Sequence, residues 1–527
     1  MSFFFLIFAV IVYLLVVGYL GFLGYRKTTS ATDYLLAGRS THPFIMSMSY
    51  GATFISTSAI VGFGGMAGRF GMGLLWLVFL NIFVGIFIAF VFFGNRTRTM
   101  GYHLDAHTFP EFIGKRYGSK FIQVYSGVLI FLAMPLYAGV VLIGGARYIE
   151  IYMGLPYMVG LFIFTLIVAA YVIAGGLKGV LYTDALQGTI MFVGMAFLGI
   201  YTYSILGGFS GAHQALTDLA GKVPEKLAAM GHVGWTAMPK AFSQWWYILV
   251  TTIILGVGIG VLAQPQLVVR FMTVKSQREL NRAVPVGGLF ILMIPGVAYV
   301  VGALSNVYFF RTQGVLAEEA AGGNVDKIIP LFISSAMPQW FGAVFMLILL
   351  AAAMSTLSGQ LHAMGTAMSR DIYQQLTRKA VKDNTVKLTR ISISIGIVIV
   401  MWLGSVLPES IIARGTAIFF GLCAASFLPL YALGLYWRRV TPTAAKVSLI
   451  FGSLGSLLYA LFIHGSEAKP LGVCQMLFGQ PVLADFPMSV IDPIIVVFPL
   501  NLLMIVVVSL LTTPQDRPFL DKLFSRD

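Results

Sequence analysis

The stretch Ala351 to Asp371, AAAMSTLSGQLHAMGTAMSRD, continues the apolar run FGAVFMLILL yet carries Ser355, Thr356, Ser358 and Gln360. Ala352, Ser355, Thr356 and Gly359 follow i, i+3, i+4, i+7 and share one helical face, with Ser358 at its border. Hydroxyls and freed carbonyls suit a hard cation, which takes oxygen ligands. A sodium- or potassium-sized ion could be held by two hydroxyls plus the carbonyls of a second, unwound helix. The alternative, which spacing alone favours, is close packing of helices through small residues. The helix expected to unwind holds Ala52 to Thr57, within MSMSYGATFISTSAIVGFGG. Asp184, in KGVLYTDALQ, adds a carboxylate near the inner end of another apolar stretch. An acid at membrane depth is costly and usually functional, whereas an interfacial Asp184 beside Lys178 would stay wet.

The elements that must position these groups are membrane spans. Of 527 residues, 58% are hydrophobic and 10% charged, with mean hydropathy +0.88. A soluble domain carries about 25% charge, so this chain is an integral membrane protein. Apolar runs long enough to cross lie near 3–25, 43–67, 71–94, 120–147, 154–175, 178–206, 244–272, 281–309, 340–369, 390–407, 411–436, 445–464 and 488–512. That predicts thirteen helices and termini on opposite sides. The first run lacks a basic flank and is too long for a signal peptide, so it reads as a retained span. Two cysteines, Cys423 and Cys474, build no disulfide framework, and seven scattered histidines show no metal spacing.

Alternate loops divide the 34 Lys and Arg residues 25 to 9. By the positive-inside rule the richer set is cytoplasmic, which puts the N-terminus outside a plasma membrane and the C-terminus inside. The net charge of +14 is therefore mostly topology and implies no nucleic acid partner. The larger outer loops are 207–243 and 310–339.

Two spans look interrupted. One is 43–67. The other holds GVGIGVLAQPQLVVRFM, where Gly256, Gly258 and Gly260 precede Gln264-Pro265 and Pro265 removes a backbone donor. With the first span set aside, these are the first and sixth helices. Paired interruptions at matching places point to an inverted-repeat transporter with a midplane site. Tight glycine packing is again the alternative.

The motifs AAAMSTLSGQL, GVGIGVLAQPQLVVRFM, LIGGARYIE, AGGLKGVLYTDALQG and LYWRR together resemble the sodium/solute symporter family, in order from about residue 33 to 440. The proline and pantothenate branches look nearest. The resemblance implies an all-α, LeuT-like fold, with one transmembrane domain over 1–527. Its parts are an extra N-terminal helix at 3–25, five-helix repeats at 43–206 and 244–436, extra C-terminal helices at 445–512 and a cytoplasmic tail at 513–527. It implies a sodium site of the Ala52, Ile55 and Ala352 carbonyls with the Ser355 and Thr356 hydroxyls. A second sodium would involve Asp184 and Ser358, although Gly359 departs from the hydroxyl that some members carry. The matching solute positions are Phe54, Ser56, Thr57, Asn81, Tyr137, Val257 and Gln264. Phe54 and Val257 depart from the proline branch, which has an aspartate and a tryptophan there. On residue type alone Phe54 and Tyr137 are more often core aromatics than ligands, whereas a lone mid-span amide such as Asn81 needs a partner and is the better candidate.

These readings combine into a sodium-coupled symporter of a small carboxylate-bearing solute, such as pantothenate or proline, working as a monomer in the lipid bilayer. Sodium is the coupling ion, and a proton at Asp184 is the variant. Arg69, at the outer end of the first core helix, either draws in anions or anchors at the interface. An enzyme would need H-E-x-x-H or paired intramembrane acids, which do not appear. A passive channel would show a repeated pore motif, and a sensor would need a larger cytoplasmic domain than the tail provides.

Overall fold

A computed structural model of the chain describes residues 3–26, 36–174, 177–377 and 385–525. Lys27, Arg378, Lys379, Lys382 and Arg526, which belong to the richer, cytoplasmic set of 25 Lys and Arg, lie outside the described residues, as do Gly175 and Gly176 of the AGGLKGV motif. Among the described residues every regular element is helical, and Thr41 forms an isolated backbone bridge with Val274.

The helices that matter for function run in this order. They are α1 (Phe3–Arg26), α2 (Pro43–Phe54), α3 (58–70), α4 (71–103), α5 (Phe109–Arg116), α6 (Lys120–Met153), α7 (Tyr157–Ala174) and α8 (Leu177–Leu206). Then come α9 (Gly208–Asp218), α10 (Gln244–Ala263), α11 (Pro265–Phe271), α12 (Gln277–Gln313), α13 (Ile328–Ala336) and α14 (Gln339–Thr377). The last are α15 (Thr385–Val406), α16 (Ile412–Tyr436), α17 (Pro442–Phe462), α18 (Pro493–Leu511) and α19 (Arg517–Phe524).

Local chemistry sets many of these ends. Ser119 and Ser276 cap α6 and α12 by accepting from Ile122 and Glu279 N–H groups, and both helices stop at left-handed glycines, Gly154 (φ 66°) and Gly314 (φ 75°). Pro43 and Pro493 stand in the first turns of α2 and α18, where no backbone donor is missed.

Among the described residues, eleven helices are long and apolar enough to cross a membrane. The sequence predicts thirteen spans, and the difference has two sources. The run 43–67 divides into α2, only 12 residues long, and α3, which continues helically through Ser58–His103. The run 154–175 becomes α7, whose described apolar part is the shorter Tyr157–Ala169. α14 and α16 are largely buried, whereas α1 and α18 turn most of their apolar surface outward. The core thus sits around α14, with lipid-facing helices at the rim.

The loops 207–243 and 310–339 are folded rather than slack, and they close over the C-terminal end of α3. Trp235 Nε1 and Asn306 Nδ2 both donate to the Gly68 carbonyl, at 2.9 and 2.8 Å. Met72 N–H donates to Trp235 O at 2.6 Å. Arg69 forms a bidentate ion pair with Glu318 of the loop 310–339, Nε to Oε2 at 2.8 Å. That pairing gives Arg69 a fixed structural partner. Elsewhere, Arg370 of α14 and Lys115 grip Glu111 of α5 at 3.0 and 2.8 Å. Burial alone would raise the Glu111 carboxyl, but these two cations hold it down at about 2.

Glycines do pack helices here, as the alternative reading of them required. A Cβ at Gly302 of α12 would overlap the Gly64 carbonyl of α3, and one at Gly260 of α10 would overlap the Phe420 carbonyl of α16. Gly302→Ala is therefore expected to force α3 off α12 and lower the melting temperature by about 5 °C or more. Gly288→Ala, on the same helix with open space around it, should leave stability unchanged or slightly raised. Thermal unfolding of the two purified variants checks the pair.

Candidate ion and solute site

Both interruptions expected from sequence are present. α2 ends at Phe54, and Ile55 leaves the helix at φ −93°, ψ 100° before α3 resumes at Ser58. α10 ends at Ala263, and Gln264 sits extended at φ −70°, ψ 114° before Pro265 starts α11. Pro265 cannot donate, which is why the chain breaks there and not at the glycines.

α14 lies across the first break. Ser355 Oγ donates to the carbonyl of Ala52 at 2.8 Å and to that of Ala352 at 3.2 Å. Thr356 Oγ1 donates to Ala52 O at 3.3 Å and to Thr53 O at 3.0 Å. Four of the five groups expected around the first ion, Ala52, Ala352, Ser355 and Thr356, thus converge within hydrogen-bond distance. All are fully buried. Ile55 stands beside them at the helix end, at 1% exposure.

Asp184 is not wet. It is fully buried, accepts from Ser49 Oγ at 2.5 Å and lies 3.3 Å from Arg270 Nη2. The interfacial reading beside Lys178 fails, because α8 packs against α2 and brings this carboxylate inward. The positive-inside rule assigns Arg270, at the end of the run 244–272, to a cytoplasmic loop, yet it is 1% exposed. Its guanidinium donates to Ser49 Oγ (3.0 Å), Gln266 O (2.7 Å) and Thr53 Oγ1 (2.5 Å) as well as to Asp184. Thr53 Oγ1 in turn donates to Ser355 O at 3.2 Å. A side chain at Gly359 would begin 3.4 Å from both Arg270 terminal nitrogens, so the absence of a hydroxyl there leaves room for the guanidinium. Ser358 Oγ donates to Ser355 O at 2.9 Å. Arg270, Ser49 and Thr53 are the residues that sequence reasoning missed. The available signal was an arginine flanked by apolar residues on both sides in QLVVRFM.

The solute positions divide. Phe54 stacks on Phe420 at 6.3 Å, Tyr137 packs edge-on to the same ring at 5.2 Å, and Ser56 is buried within the first break. A Cβ at Gly85 would lie 3.3 Å from both Phe54 and Val261, and Asn81 is one turn earlier on the same face of α4. The Asn81 Oδ1 is buried without a hydrogen-bond partner. Leu80, next to it, packs against Gly258, which brings Val257 (4% exposed) to the same region. Phe54, Ser56, Tyr137, Asn81 and Val257 therefore surround the two breaks. Thr57 and Gln264 are engaged structurally. Thr57 Oγ1 donates to Val141 O at 2.5 Å, and Gln264 Nε2 donates to Gly260 O at 3.4 Å, across its own helix break.

Residues 34–452 match the model of the sodium:solute symporter family. The chain belongs to the sodium:solute symporter family. Similar members include the High-affinity proline transporter PutP of Bacillus subtilis, 26% identical, with 84% of this chain and 89% of that one covered. The Sodium/pantothenate symporter of Haemophilus influenzae is 28% identical over 86% and 90% of the two chains. Among solved structures, a Na+-coupled sialic acid symporter in a substrate-bound, outward-open state superposes with a TM-score of 0.74 at 19% identity, covering 97% and 98%. That likeness shows a shared all-helical fold, so this member of the symporter family is an integral membrane protein.

Proposed function

We propose that the chain is a sodium-coupled symporter that imports a small carboxylate-bearing organic solute by alternating access. The observation that carries this reading is the convergence of the Ala52 and Ala352 carbonyls with the Ser355 and Thr356 hydroxyls at the break of the first core helix. Oxygens about 2.4 Å from a sodium-sized cation and at right angles stand roughly 3.4 Å apart. The 2.8 to 3.3 Å separations need only a few tenths of an ångström of expansion, with Ile55 O as fifth ligand.

On this reading α2 and α3 are one interrupted crossing and α7 is another, giving thirteen crossings with the N-terminus outside. The halves 43–206 and 244–436 form the two repeats, with their breaks at Ile55 and Gln264. Sodium ties the first break to α14 and shapes the solute site beside it. Rocking of one bundle against the other then exposes both ligands to a cytosol poor in sodium, where the ion leaves and the solute follows. Asn81 offers an acceptor to a solute N–H or O–H, and Phe54, Tyr137 and Val257 take its apolar part. A solute carboxylate is met by free N–H groups at a half-helix start and by the nearby sodium.

The Asp184 position holds a cation already, in the form of the Arg270 guanidinium. The reading therefore takes one sodium per cycle, with Asp184 and Ser358 outside the ion's shell.

Proteoliposomes loaded by a gradient test this directly. Radiolabelled pantothenate, proline and sialic acid, each with competitors, are offered under an inward sodium gradient or a pH gradient alone. Concentrative uptake of one carboxylate under sodium alone is the expected result. Uptake indifferent to sodium, or driven by the pH gradient, would overturn sodium coupling.

A further inference from the structure

We propose that a lateral cavity among α6, α10, α16, α17 and α18 binds a membrane-dissolved amphiphile through a primary ammonium head. The cavity has a volume of about 390 Å³, within the range of small-molecule sites. Its walls are apolar, with Leu129 and Leu132 from α6, Leu422 from α16 and Leu457 from α17. Leu132 is 71% exposed and Leu457 52% exposed, so the mouth opens on the apolar outer surface that faces lipid.

The inner end is different in kind. It is formed by Asp492, which precedes α18, together with Thr252 of α10, and beside them lie His464 and Glu467. Asp492 is only 4% exposed. Glycines make room for its carboxylate: side chains at Gly256 of α10 and Gly421 of α16 would begin 3.9 and 3.4 Å from Oδ1. Glu467 has its charge matched, by an ion pair with Arg414 at 3.1 Å and a short contact to His464. Asp492 has no such partner of its own: the nearest cationic group is the His464 imidazole, which is already engaged by Glu467. Its Oδ1 accepts from the Ile494 N–H at 2.9 Å, capping α18, and among the described residues no Lys or Arg lies within ion-pair distance of it. A buried carboxylate with no full cation of its own is costly. A ligand entering from the bilayer gains little from its tail, because lipid is as apolar as the cavity wall. Selectivity must then reside in the head, and an ammonium supplies both the missing charge and three donors. An occupant would also brace α10 against α16 through Thr252, on the helix that carries Val257, so binding is expected to alter transport as well as stability.

The test needs neither sodium nor solute, so its failure leaves the symport reading untouched. The intact protein in phosphatidylcholine nanodiscs is melted with dodecylamine, dodecanol or dodecanoate. Dodecylamine is expected to raise the melting temperature by about 3 °C and the other two to leave it unchanged. Asp492→Asn keeps an equally good helix cap but loses the charge, and should abolish the shift. Leu457→Trp, which fills the tail half, should abolish it too and decides the matter where the first variant folds poorly. In nanodiscs enriched in phosphatidylethanolamine, loss of the added shift identifies the aminophospholipid as occupant, and a full shift identifies a free amine. Equal shifts from all three amphiphiles, or a shift retained in both variants, overturn the proposal.

Discussion

Replacing Ser355 and Thr356 together with alanine is expected to raise the sodium dissociation constant on the order of 100-fold, about 2.7 kcal/mol, with each single change giving roughly 10-fold. The estimate treats each hydroxyl as one interaction with a charged group, worth about 1.5 kcal/mol net. Both hydroxyls also donate to the Ala52 carbonyl, so the double variant loses some stability as well. Those two effects separate experimentally. Lost stability lowers the amount of folded protein, whereas a lost ligand shifts the sodium concentration at half-maximal uptake in the protein that remains. Sodium must tighten solute binding by the factor that solute tightens sodium, so solute affinity at fixed sodium should fall in the same variants. Radiolabelled sodium binding, followed by uptake at graded sodium, measures both quantities. If the double variant keeps the sodium dependence of the parent, the ions bind elsewhere.

The parts of this site that were legible from sequence are those governed by local rules. Pro265 breaks a helix whatever surrounds it, and the i, i+3, i+4 spacing puts Ala352, Ser355 and Thr356 on one face in any helix. The break near Ile55 was legible for a weaker reason, a crowd of small and hydroxyl residues, and it needed its partner break to become an argument. Arg270 was not legible. It stands at the end of a span, where the positive-inside rule assigns every arginine to a cytoplasmic loop. Only after Pro265 restarts the chain as the seven-residue α11 does its side chain turn inward to Asp184, and no periodicity in so short a helix fixes that direction. Asp184 was ambiguous for the same reason, since its burial depends on α8 lying against α2. The glycines also served two readings at once. Those of α10 pack against Leu80 and Phe420 while the same helix breaks a few residues later.

Because the guanidinium of Arg270 and the carboxylate of Asp184 neutralise each other away from water, the two residues are expected to be strongly coupled. Arg270→Ala leaves an unpaired buried carboxylate and should cost about 3 to 5 kcal/mol. Asp184→Asn leaves the guanidinium with the Ser49 and Thr53 hydroxyls and should cost somewhat less. Replacing both, as Arg270→Met with Asp184→Leu, removes two desolvation penalties together. It should cost far less than the sum of the singles, with a coupling energy of about 2 kcal/mol or more in a double-mutant cycle from denaturant unfolding. The functional half of the prediction concerns ion count. If the guanidinium fills the place of a second ion, the parent protein binds one sodium. Arg270→Ala exposes Asp184, Ser49 and Thr53 to a small cation and should bind a second one, and Arg270→Ala with Asp184→Asn should return to one. Equilibrium binding of radiolabelled sodium to a known amount of each protein gives the stoichiometry. Two sodium ions on the parent chain, or additive costs in the cycle, would remove Arg270 from this role and restore Asp184 and Ser358 as ligands of a second ion.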